Sequence, residues 1–192
     1  MQDGGGFVQL PTWGAGVECR VWRKKVWSRA VVLKCGEIEV AGLRGLLARY
    51  GMVLEWVEDG IEIPGSFWGD SEAGLIANRL LVRSDTPLHS AMHEACHYIC
   101  MDQQRRDGLH TDAGGGYDEE NGVNYIQILL SDLIPECGRD RMFSDMDEWG
   151  YSYRLGSAQA WFEEDAEDAR LWLRSYGVID DHDQPSWQLR QA

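Results

Sequence analysis

Apolar residues along this chain alternate between two spacings, and the alternation outlines an α+β protein. Val40, Leu43, Leu46, Leu47 and Tyr50 recur every three or four residues. That spacing predicts an amphipathic helix from Glu37 to Arg49, stopped by Gly51. Met52 to Val57 has the character of a strand, bounded by Glu58-Asp59-Gly60, and Pro64-Gly65 marks a loop. Leu75-Ile76 and Leu80-Leu81-Val82 read as two short strands around Ala77-Asn78. From Leu88 to Met101 the spacing is again helical, with Pro87 at a position that tolerates it and Asp85 or Thr86 available as N-cap. A loop over 105–117 leads to a second helix, Asp118 to Ile134, striped by Val123, Ile126, Leu130 and Leu133 and closed by Pro135 and Gly138. A third helix is expected from Ser157 to Tyr176, ending at Gly177.

These elements predict a small antiparallel or mixed sheet packed on the 88–101 helix, with a second long helix beside it. Residues 1–16 are glycine-rich and read as a flexible arm, and 17–35 as one or two strands. Residues 17–180 form a single domain in this reading, and 181–192 a polar, frayed tail.

The 88–101 helix carries His93-Glu94-Ala95-Cys96-His97. Histidines at i and i+4 lie on one helical face, close enough to share one Zn²⁺. Glu94 between them reaches the same cleft without ligating, the place of a general base that activates water. Catalytic zinc usually has three protein ligands and an open position, so a third ligand is needed. His89 lies one turn before His93 but two turns, roughly 12 Å, from His97, and reads as a cleft-edge or packing residue. A further glycine and histidine in the pattern HExxHxxGxxH would fall at Cys100 and Gln103, which excludes that arrangement. Glu120 is the chosen ligand. It opens the second helix, the 22 residues after His97 leave room for a turn and return, and Asn124 follows on the same face to orient the site. Glu119, Asp118, His110 and Asp112 are the alternatives, and the acidic run 118–120 would also suit a helix N-terminus without any metal.

Composition narrows the picture further. The net charge of −14 is distributed as +4 over 1–50, −6 over 51–111 and −12 over 112–192, which argues against nucleic-acid or anionic-membrane binding. It suggests instead a protein or peptide substrate with some positive character. The basic cluster Arg20, Arg23, Lys24, Lys25 and Arg29 alternates with Val21, Trp22, Val26 and Trp27 and reads as a solvated strand or helix face. No run approaches 18 apolar residues, and the start has neither a basic nor an apolar leader region. Five cysteines without a CxxC pair point to reduced thiols, so a cytoplasmic setting is expected. Cys100, near the metal-facing side, reads as packing rather than a ligand.

The order Leu81-Val82-Arg83-Ser84-Asp85-Thr86-Pro87, then HEACH, then Glu120-Asn121-Gly122-Val123-Asn124 and Ile128-Leu129-Leu130 resembles the ImmA/IrrE group of small gluzincin metallopeptidases over about residues 40–135. The resemblance implies a zincin-like fold, peptide-bond hydrolysis, and Glu120 as the third zinc ligand, opening an ExxAN-type segment. Val123 stands where that group usually has alanine, and the loop between His97 and Glu120 is longer here. No helix-turn-helix is evident, so a DNA-binding role is not carried over.

The expected function is therefore Zn²⁺-dependent peptide hydrolysis of narrow specificity, with His93, His97 and Glu120 on the metal and Glu94 moving the proton. Tyr151, Tyr153, Arg154 and His182 have the chemistry of an oxyanion donor, though ordinary packing is the preferred reading for the two tyrosines. The strand near Arg79–Ser84 is a candidate for pairing with an extended substrate. The alternative is a non-catalytic interaction domain binding through its acidic C-terminal third; a zinc-dependent hydrolase acting on some other bond is a weaker third. The presence of Glu94 favours hydrolysis.

Overall fold

The computed structural model describes residues 32–191. The arm at 1–16, the basic cluster at 20–29 and most of the strand expected over 17–35 lie outside the described residues. The described part of that stretch runs through Leu33 and Lys34 into a short 3-10 turn, Cys35–Glu37.

Among the described residues the architecture is α+β, with seven α-helices and a three-stranded mixed sheet. Helix α1 spans Val40–Arg49, with strand β1 at Val53–Trp56, β2 at Gly74–Ile76 and β3 at Arg79–Val82. Strand β3 is central: it pairs parallel to β1 and antiparallel to β2. Ala77, in the left-handed region, makes the two-residue turn between β2 and β3. Because β3 is covered on both sides, Leu80, Leu81 and Val82 are all buried, and no edge remains at 79–82 for the expected pairing with substrate. The outer edge of β2 is also filled. Leu75 N–H donates to Gly65 O (3.1 Å) and Leu75 O accepts from Thr111 N–H (3.0 Å).

Helix α2, Leu88–Cys100, lies against the sheet, and the core closes around Leu54, Leu75, Leu80, Leu88, Met92 and Ile99. Neither Asp85 nor Thr86 caps it. Its first N–H, on Leu88, donates to Leu33 O (2.8 Å), so the strap before α1 ends the helix instead. Helix α3, Gln103–Asp107, runs into the stretch expected to be loop from 105, capped by the Asp102 carboxylate on Arg105 N–H (2.9 Å). Helix α4, Tyr117–Ser131, is the central helix, packed on α2, on α5 (Gly138–Trp149) and on α7 (Glu167–Ser175). Every residue from Asn121 to Ser131 is buried. Gly122 permits the approach of α7: a Cβ there would stand 2.7 Å from Trp172 Cε3.

Three further segments differ from expectation. No element is expected between Gly138 and Ser157, yet α5 forms there, burying Met142, Phe143 and Met146 at helical spacing among charged neighbours. Its Asp145 is held inside by Leu33 N–H (2.9 Å) and Arg141 Nε (2.7 Å). The single helix expected over 157–176 is two: α6, Ala158–Glu164, and α7 part at Asp165, whose carboxylate pairs with Arg154. The polar tail does not fray. Trp187 packs against Tyr50 with ring centroids 5.6 Å apart, and Arg190 N–H donates to Ile99 O (2.9 Å). No described helix is long and apolar enough to cross a membrane.

Candidate metal centre

Helix α2 presents His93 and His97 one turn apart toward α4, and the first turn of α4 presents Glu120 toward them. The ligand atoms of these three side chains all lie within 4.8 Å of one another. The two Nε2 atoms are 3.1 Å apart. The Glu120 carboxylate straddles them, Oε1 at 3.6 Å from His97 Nε2 and Oε2 at 3.9 Å from His93 Nε2. In a tetrahedral site with spokes of about 2.0–2.1 Å, neighbouring ligand atoms stand about 3.3 Å apart. The observed separations bracket that value, so these residues fit a divalent ion. Two imidazoles and one carboxylate are a donor set that first-row divalent metals accept.

The orientation of His93 is decided by Gln127, fully buried two turns beyond Glu120 on the same face of α4. Its Nε2 donates to His89 O (3.0 Å) and contacts Met142 Sδ (3.3 Å), which turns its Oε1 toward His93 Nδ1 (3.1 Å). His93 Nδ1 therefore carries the proton, and its Nε2 lone pair points at the ligand cluster. Asn124, expected to orient the site, is buried one turn after Glu120, and its Oδ1 has no partner among the described residues. The orienting hydrogen bond belongs to Gln127. A lone amide in an otherwise apolar stretch, seven residues after the glutamate, was the available signal.

Burial and charge set the protonation of the group. Burial, then the neighbouring His97, hold His93 down at about 4; burial, then Arg105, do the same for His97. Both rings are neutral near pH 7, as metal ligands must be. Burial raises Glu120 despite His93 and Arg105. Ser90 Oγ accepts from Ala73 N–H (3.1 Å) and pins the run before β2 onto α2 one turn before Glu94. Burial pushes Glu94 up to about 8, and repulsion from Glu72, Glu120 and Asp112 adds to it. A cation held by the three ligands would draw that carboxyl back toward ionisation.

The remaining candidates stand outside the ligand cluster. His110 is exposed with Nδ1 on Thr111 Oγ1 (2.8 Å), Asp112 accepts from Gly114 N–H (2.8 Å), and Asp118 is exposed. Glu119, nearly buried, is taken up by Arg105 and Arg190. His89 is a packing residue: its ring is buried against Trp149 and Tyr151, at centroid distances of 4.7 and 5.8 Å. Cys100 lies in the core. Of the oxyanion candidates, Tyr151 flanks the site, its ring 5.9 Å from that of His93. Tyr153 is buried and stacked on Trp161 (4.9 Å), Arg154 is exposed on Asp165, and His182 is exposed in the tail. A scan against protein-family models and searches of curated proteins and of solved structures each find no match for the chain.

Proposed function

We propose that the chain is a zinc-dependent metallopeptidase, zincin-like in the way its sheet backs the helix that carries the histidines, and akin to the ImmA/IrrE group. The observation that carries this reading is the convergence of His93, His97 and Glu120, with Glu94 on the same helix, outside the ligand set and near enough to Glu120 to feel its charge. His93, His97 and Glu120 would hold Zn²⁺, which when bound acidifies water and polarises a carbonyl. Glu94 takes the proton from the attacking water and delivers it to the leaving amine, the two halves of general base and general acid work. Gln127 keeps His93 in the tautomer that ligates. Tyr151, on the His93 side, is the candidate donor to the developing oxyanion.

The sequence resemblance supplies the peptide bond as the bond cleaved. With β3 enclosed and Leu75 already bonded on the outer edge of β2, strand addition at 79–82 is not open to a substrate. The four described cysteines are free thiols, in keeping with a cytoplasmic setting. A non-catalytic interaction domain would leave Glu94 with no task, while burying a carboxyl among three other acids costs stability.

The test is metal analysis of the full chain together with turnover of a quenched-fluorescent peptide library. The wild-type chain is expected to carry about one zinc. Glu94→Gln should keep the zinc and lose cleavage by about a hundredfold or more. Glu120→Ala should lose or weaken metal binding. A wild-type chain that takes up no zinc, or a Glu94→Gln variant that cleaves as fast as wild type, refutes the reading.

A further inference from the structure

One side chain from the C-terminal tail touches both helices that carry the candidate ligands. Arg190 Nη1 donates to the Glu119 carboxylate (2.9 Å), in the first turn of α4 and adjacent in sequence to Glu120. The same Nη1 reaches Cys100 O (3.4 Å), at the last residue of α2 and one turn beyond His97, and Arg190 N–H donates to Ile99 O (2.9 Å). A cation at a helix C-terminus and an anion in a helix first turn are each favoured by the helix dipole, so the guanidinium meets favourable charge at both ends.

The surroundings hold this arginine in place. Its guanidinium lies over the Tyr176 ring at 3.9 Å and near the Trp172 ring at 5.1 Å. Its carbonyl accepts from Arg106 Nη2 (3.3 Å), and the next residue donates its N–H to Tyr176 O (3.0 Å). Trp187 anchors the same tail against Tyr50, beneath the Arg49 guanidinium. Glu119, 5 % exposed, receives in addition two bonds of 2.8 Å from Arg105 Nη1, whose Nη2 also donates to Ala113 O in the loop before α4. At Gly115 in that loop, a Cβ would stand 3.2 Å from Glu119 Oε1 and 3.3 Å from Glu120 Oε1, so the loop lies directly on the two carboxylates.

We propose that the C-terminal tail is a working part of the metal centre: Arg190, with Arg105, is a positioning residue that fixes the first turn of α4 against the end of α2, and so sets the distance of Glu120 from the two histidines. This rests on the proposed reading of His93, His97 and Glu120 as metal ligands. The physical reason is local. From Asn121 onward α4 is locked by the core, whereas its first turn is held by polar contacts to Arg105, Arg190 and the glycine loop. Without Arg190 the Glu119 carboxylate keeps Arg105 but loses its tie to α2, and Glu120 is free to retreat from the histidine pair. Any event that lifts the tail, whether proteolytic trimming or a competing partner, would then lower metal occupancy without unfolding the domain.

The experiment compares wild type, Arg190→Ala, Arg190→Lys and Glu119→Gln, all as full chains. Zinc affinity is read by competition with a chelating indicator, ligand geometry by the visible spectrum of the Co²⁺-loaded chain, and folding by circular dichroism. Arg190→Ala should bind zinc about tenfold more weakly, the lower end of what supporting residues of metal sites contribute, with an altered Co²⁺ spectrum and unchanged far-ultraviolet dichroism. Arg190→Lys should recover part of the affinity, since an ammonium restores the charge but not the planar guanidinium over the Tyr176 ring. Glu119→Gln, which keeps shape and an acceptor, should weaken binding less than Arg190→Ala but by more than about twofold, and serves if that variant fails to fold. Zinc affinity within twofold of wild type in a folded Arg190→Ala or Glu119→Gln chain, with an unchanged Co²⁺ spectrum, overturns the role of the tail alone. A wild-type chain that binds neither ion overturns the reading of the centre and this proposal with it.

Discussion

Replacing Gln127 by Leu separates what holds the metal from what holds the fold. The residue is fully buried, and its amide joins three groups: it accepts from His93 Nδ1, donates to His89 O and contacts Met142 Sδ. Leucine has a similar volume and no polar atom, so the substitution leaves the His93 Nδ1–H without its partner, while His89 O keeps the helical bond from His93 N–H. Such an orphan costs about 1–3 kcal/mol, so the metal-free chain should lose about that much. Zinc affinity should fall by about 10–100-fold, because the His93 ring loses the bond that fixes both its orientation and its protonated nitrogen. Gln127→Glu distinguishes the two effects. Its carboxylate still accepts from His93 Nδ1 and should hold zinc affinity near wild type. It cannot donate to His89 O, so stability should still fall. Urea unfolding of the metal-free chains gives the first quantity, and competition with a zinc indicator the second. Wild-type zinc affinity in a folded Gln127→Leu chain would show that His93 is oriented by something other than this hydrogen bond.

The metal-free chain should be most stable near pH 6.5. Burial holds His89 at about 3 and His93 and His97 at about 4, so below about 6.5 the unfolded chain binds protons that the folded chain refuses, and each histidine removes about 1.4 kcal/mol of stability per pH unit until its folded value is reached. Glu94, raised to about 8, and Glu72, raised to about 7, act in the opposite direction: stability rises as pH falls through those values and stops rising near 4.5. Glu119, Glu120 and Asp147, also raised by burial, join the gains at lower pH, so the net fall is steepest just below pH 6.5, at up to about 1.4 kcal/mol per unit, and flattens toward 4.5; urea midpoints that keep rising between pH 6.5 and 5.5 would contradict it. Gly122→Ala should destabilise the fold by about 1–2 kcal/mol, since the overpacking against Trp172 exceeds the helix-propensity gain. In a Trp172→Leu background the same change should be neutral or stabilising, and a stabilising Gly122→Ala in the wild-type chain would mean the α4–α7 contact is looser than described.

Much of the framework was legible because it depends on local pattern. The helical spacing from Leu88 onward placed HEACH on one helix, and the i, i+4 rule put both imidazoles on one face before any tertiary contact was known. The runs around Ala77-Asn78 marked the β2–β3 hairpin for the same reason. Glu120 is the choice over Glu119, Asp118, His110 and Asp112 for its place at the start of the second helix, and its carboxylate and the two imidazoles do converge. Helix α5 is not legible in the sequence because its few buried residues are spaced among charges, so its apolar face is evident only once α4 supplies the surface it covers. Its Asp145 looks like a surface acid until Leu33 N–H is found beside it.

What the chain determines alone is thus the set of short-range devices: the histidine pair with its glutamate, the hairpin, and the polar residues spaced along α4. Tertiary structure decided which of those polar residues orients the site, choosing Gln127 over Asn124 because only Gln127 meets His93 and the His89 carbonyl together. It decided that the 79–82 strand is enclosed, since strand order is a property of pairing and not of any one segment. It also decided that the polar tail is fastened down, because the partners of Arg190 lie 71 and 90 residues away in sequence, beyond the reach of any periodic signal.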